Sequence, residues 1–174
     1  MELKQRIQEE LRGLERLALS IPGFKGYKDK ELRREADRLL RQHVARKLEE
    51  VKDQLQELQL TYISAGKIGL IDDVERAVMK LQNVIDRLKT ASYGYTGFFD
   101  AVKVKEEELD ALYSFDQAML DKVEAIGESV KKLRETEARG EELIKLIAGV
   151  IAEADVLMDA FKRRQEAITG FSGG

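Results

Sequence analysis

An all-helical protein is predicted by three features of this sequence. Hydrophobic residues recur at three- and four-residue steps, proline occurs once, at position 22, and glycines gather between the periodic stretches. The expected architecture is an elongated up-and-down bundle of four to five helices with coiled-coil-like packing. It forms one domain over residues 1–169, followed by a flexible tail at 170–174.

Leu3, Ile7, Leu11, Leu14, Ala18 and Ile21 define a first helix that stops before Pro22, because the residue preceding proline disfavours helical geometry. Leu32, Ala36, Leu40, Val44, Leu48, Val51, Leu55, Leu58 and Tyr62 define a second, about 54 Å long at ~1.5 Å per residue. Val74, Ala77, Val78, Leu81, Ile85 and Leu88 make a third, with Asp72 expected as its N-cap and Glu75 completing a variant capping box. Leu109, Leu112, Met119, Val123, Ile126, Val130 and Leu133 make a fourth. Glycine pairs at Gly23/Gly26, Gly66/Gly69 and Gly94/Gly97 separate these segments and offer positive-φ positions for turns.

Position 140 admits two readings. The apolar stepping continues in phase through Gly140 to Ile144, Ile147, Ile151, Ala154, Met158 and Phe161, as one long helix requires. Lys131, Lys132, Arg134 and Arg139 precede Gly140, however, and Glu141 and Glu142 follow it. That charge order belongs to one helix ending and another starting, so a turn and a fifth helix are expected.

Composition bounds the chemistry. The 174 residues are 43% hydrophobic, 36% charged and 6% aromatic, which is enough apolar material for a core beneath long solvated faces. With no cysteine there is no disulfide, thiolate metal site or thiol nucleophile, and a single histidine excludes multi-histidine metal centres. Net charge is -3, so general attraction to nucleic acid is not expected. The start of the sequence runs directly into an amphipathic pattern with no secretory signal, and no apolar run is long enough to span a bilayer. A cytoplasmic protein is therefore expected.

No enzyme motif emerges, and neither a cofactor nor a metal is expected. His43 lies beside the second helix's stripe with Leu39 and Lys47 at helical spacing, so no local carboxylate tunes it as a base. The run Glu106, Glu107, Glu108 and Asp110 reads as a solvated helix start. Ser64 to Ile68 has part of a phosphate loop's composition without its strand or full spacing. The G-x-x-G pairs match a nucleic-acid clamp only in a fold with strands this sequence does not offer. The closing Gly173-Gly174 has the form of a conjugated modifier, but the helical body is wrong for that fold.

Two loops carry most of the aromatic residues: Phe24 and Tyr27 in one, Tyr93, Tyr95, Phe98 and Phe99 in the other. Up-down topology places them together, either as a mutual cap on the core or as a partner-binding surface. Charge is uneven too. Positions 25–47 carry nine Lys or Arg against four acids, and positions 105–142 carry six against twelve. Arg33, Arg34, Arg38 and Arg41 therefore either pair with the acidic start of the fourth helix or form an anion-binding stripe.

Long amphipathic helices without enzyme motifs resemble, in composition alone, membrane-associated stress scaffolds of the phage-shock-protein-A type. The expected function is a non-enzymatic scaffold or protein-interaction module that self-associates. The alternative is a peripheral binder of anionic membrane or phosphate polymers through segment 25–47, nucleic acid being the less favoured polymer.

Overall fold

A computed structural model describes residues 2–94 and 96–171, apart from the side chains of Glu9 and Glu10. Among them are six helices and no strand: α1 (Glu2–Ser20), α2 (Lys30–Ser64), α3 (Ile71–Thr90), α4 (Gly97–Asp100), α5 (Glu106–Glu135) and α6 (Glu141–Gly170). The protein is an all-α bundle.

Each break has a local cause. Pro22 follows the end of α1, and Gly23 and Gly26 both take positive φ in the connection to α2. Gly66, Gly94 and Gly140 do the same at their turns, whereas Gly69 and Gly97 do not. Gly66 lies two residues past the end of α2, whereas α3 and α5 have already stopped, at Thr90 and Glu135, before Gly94 and Gly140 redirect the chain. At Gly140 the chain turns, as the charge order predicts, and α6 is a separate helix.

The cap expected at Asp72 does not form. A 3-10 turn at Ile68–Leu70 runs straight into α3, so Asp72 and Asp73 sit within the helix's first turn, where carboxylates still meet the positive end of the dipole. Nor does sequence periodicity foresee α4, a single turn whose N-cap Thr96 accepts a hydrogen bond from the Phe99 N–H at 3.2 Å. Phe171, expected in a flexible tail, stacks against Phe98 with ring centroids 5.4 Å apart. Residues 172–174 of that tail lie outside the described part of the chain.

The chain divides into two compact units. The first comprises residues 1–43, 91–120 and 160–174. Its core contains Leu17, Ile21, Leu40, Leu112, Met119 and Phe161, all fully or almost fully buried. The second comprises 44–90 and 121–159. There Leu48, Leu55, Leu81, Ile85, Ile126, Val130, Ile147 and Leu157 pack as the apolar stripes of α2, α3, α5 and α6 require. Polar ties within this unit include Lys52 to Gln82 at 2.7 Å, Ser129 to Glu153 at 2.7 Å and Lys80 to Asp155 at 3.0 Å. They join α2 to α3, α5 to α6 and α3 to α6.

Candidate functional site

The described aromatic and arginine candidates singled out from the sequence all lie in the first unit. Phe24, Tyr27, Phe98 and Phe99 are buried and Tyr93 is half-buried. Phe24 meets Tyr27 edge-on at 5.5 Å, Tyr27 meets Phe98 at 6.0 Å, Phe98 meets Phe99 at 5.4 Å and Phe99 meets Tyr93 at 5.3 Å. The two loops thus close on one another as a cap. The rings of Phe24, Tyr27, Phe98 and Phe99 turn inward, where burial and stacking use the faces a partner would need. Tyr95 lies outside the described residues.

Gly26 makes this closure possible. With φ at +84° it occupies a left-handed position, and a Cβ there would stand 2.5 Å from Tyr113 Oη and 2.8 Å from a Leu14 methyl. The tight approach lets the Tyr27 N–H donate to Tyr113 Oη at 3.1 Å.

Each of the four arginines has partners within the protein. Arg33 is fully buried, and its guanidinium donates to the carbonyls of Tyr27 (2.7 Å), Lys28 (3.2 Å), Phe98 (3.1 Å) and Ala101 (2.6 Å). It clasps both aromatic loops and is closed to an external anion. Arg34 donates to the Gly94 carbonyl and to Asp100 and lies over the Phe99 ring. Arg38 pairs with Glu35 one turn back and donates to Gln42. Arg41 is held by Asp37 at 2.9 Å. These partners come from α2 itself and from both aromatic loops.

Sequence reasoning missed the central polar group of the unit. Arg164 on α6 has no solvent exposure. Its Nε donates to Asp116 on α5 at 2.6 Å, and its Nη1 donates to Asp37 on α2 at 2.7 Å and to Tyr93 Oη at 3.0 Å. Its Nη2 donates to Tyr27 Oη at 3.1 Å. The Tyr27 hydroxyl in turn donates to the second oxygen of Asp116 in a very short bond, and the Tyr93 hydroxyl donates to Asp37 at 3.2 Å. With Arg41 on the other oxygen of Asp37, two cations face two carboxylates and all four carboxylate oxygens accept hydrogen bonds. A buried network is tolerated only when satisfied in this way.

Electrostatics follow from burial. Desolvation pushes the Asp116 carboxyl up to about 6 against the pull of Arg164. It raises the Tyr93 phenol to about 12, and together with the Asp116 charge it holds Tyr27 well above the usual phenol range. Burial works against the charge on Arg164 as well, yet Asp116 and Asp37 keep that guanidinium well above its ordinary value. The arrangement locks three helices and two loops together. Its polar atoms are directed at each other.

The only histidine, His43, is buried at the edge of this unit. Among the described residues no group of His, Asp and Glu side chains is arranged to hold a metal ion, and no helix is long and apolar enough to cross a membrane.

One surface of the unit is apolar and uncovered. Leu3, Ile7 and Leu11 of α1 are 64%, 42% and 50% exposed. Below them, Ile7, Leu11, Leu14, Val102, Val104, Leu109 and Tyr113 line a hollow of about 450 Å³, rimmed by Lys28, Lys103 and Glu106. Val102 is 81% exposed. Of the apolar stripe predicted for α1, the unit buries Ile21 just past the helix and half-buries Leu14, and leaves Leu3, Ile7, Leu11 and Ala18 exposed. Compared with known protein families, curated proteins and solved structures, the chain matches none.

Proposed function

We propose that this protein is a non-enzymatic, cytoplasmic protein-interaction module of the scaffold type, and that α1 carries its docking surface. One observation supports this reading. The helix sets Leu3, Ile7 and Leu11 side by side in solvent above an apolar hollow, with the exposed Val102 at its edge. Scattered apolar residues on a surface need no explanation, but a helical row of them beside a hollow is how amphipathic helices present a partner face. The polar network fits the same role as scaffolding, since it fixes the helices that support α1 and keeps its charges inward.

The experiment is a double variant, Ile7→Lys with Leu11→Lys, compared with the parent chain for association measured by cross-linking and light scattering. Association retained by the parent and lost by the variant, at unchanged melting temperature, supports the module. Association indifferent to both substitutions removes α1 as its docking surface.

A further inference from the structure

We infer that the occupant of this surface is a second copy of the same chain, docked by its own α1 in antiparallel orientation about a two-fold axis beside residue 9. The inference rests on the reading of α1 as a docking surface and adds the partner and its register.

The argument is self-complementarity. Lys4 and Glu15 are exposed, lie eleven residues apart and therefore share one flank of the apolar row, about 16 Å apart along the helix. Neither has an ion-pair partner among the described residues. Antiparallel pairing about residue 9 puts Ile7 of one copy against Leu11 of the other, and the reciprocal contact follows by symmetry. The same register brings Lys4 opposite Glu15 at both ends, giving two ion pairs of opposite sign. Leu3 of each copy then falls beside Leu14 of the other, at the hollow lined by Val102, Val104 and Leu109.

A lipid surface is the competing occupant, since amphipathic helices also lie on membranes. Those helices carry a basic polar face, whereas α1 carries four acids (Glu2, Glu9, Glu10, Glu15) and four bases (Lys4, Arg6, Arg12, Arg16). A neutral polar face gains nothing from anionic headgroups, while mixed signs give a second copy its register.

The test uses the full chain in analytical ultracentrifugation at low salt. The parent should dimerise with concentration, Ile7→Lys should weaken dimerisation about 100-fold or more, and K4E and E15K should each weaken it about 3- to 10-fold. An equimolar mixture of K4E and E15K should recover the parent's affinity, because every opposed pair in the mixed dimer again carries opposite signs. A parent chain that stays monomeric to about 1 mM overturns the inference, as does a dimer indifferent to Ile7→Lys or a mixture that shows no recovery. If the chain is monomeric but co-sediments with phosphatidylserine vesicles in an Ile7-dependent way, a lipid surface replaces the second copy. If it is monomeric and a different protein binds α1, the docking surface stands without this partner.

Discussion

Arg164 and Asp116, 48 positions apart on α6 and α5, meet at 2.6 Å with neither side chain exposed to solvent. An ion pair so placed gives little net stability over a well-packed apolar pair, but it is costly to break from one side. Arg164→Ala leaves Asp116 and Asp37 buried without their shared cation and should cost about 3–5 kcal/mol in urea unfolding. Arg164→Met, which keeps more of the volume but still strands Asp116 and leaves Asp37 with Arg41 alone, should rescue only a small part of that loss.

The pH dependence has a defined sign. The Asp116 carboxyl is raised to about 6 in the folded protein, against about 3.9 in an unfolded chain. The folded state therefore binds more protons across that interval. The contribution is fully present below about pH 4 and is lost as pH rises through about 6. Unfolding free energies measured from pH 4 to 7 should contain this declining component in the parent, and it should vanish in Asp116→Asn. At the alkaline side, Tyr93, raised to about 12, contributes stability that disappears between about pH 10 and 12, and Tyr93→Phe should make that limb shallower while the contribution of Tyr27 remains.

Gly26 and Gly66 separate two costs of a side chain at positive φ. Both are left-handed, but an added Cβ meets nothing within 4 Å at Gly66, whereas at Gly26 it collides with Tyr113 Oη and Leu14. Gly66→Ala should cost about 1 kcal/mol from backbone strain. Gly26→Ala should cost about 2–4 kcal/mol, since it adds overpacking of about 1–3 kcal/mol to that strain. Thermal unfolding of the two variants gives the comparison directly.

Segment 25–47 should not act as an anion-binding stripe. Arg33 is buried on four carbonyls, Arg34 and Arg38 hold Asp100 and Glu35, and Arg41 holds Asp37. Co-sedimentation with anionic vesicles at physiological salt should be the same for the parent and for a chain with Arg34 and Arg38 both changed to glutamine. A loss confined to the variant would show that these two charges are available to phosphate after all.

Helix positions were legible in the sequence because stripe, proline and glycine chemistry agree at Pro22, and because at Gly140, where the stripe runs on in phase, the charge order marks the break. The polar network was not, although its trace is present. Asp116 stands in step with Leu112 and Met119, Arg164 with Phe161 and Ile168, and Asp37 with Arg33, Leu40 and Val44, each a charge at a core register. Counting charge by segment treats such residues as solvated, and only the packed helices reveal that three of them converge. The aromatic loops were readable as a cap through their composition. That Arg33 clasps them was hidden because carbonyl acceptors leave no mark in a sequence. On α1 the stripe itself was plain, but periodicity does not say how much of a stripe its own chain covers.

The clasp at Arg33 has a kinetic corollary. One guanidinium ties carbonyls at Tyr27 and Lys28 to carbonyls at Phe98 and Ala101, segments more than sixty residues apart in the chain. Neither loop can open without breaking the anchorage of the other, so their amide protons should exchange with deuterated solvent at a common opening rate despite their distance in sequence. A protease that gains access to one loop would gain access to both, and the two loops would be lost or kept in evolution as a single inherited part.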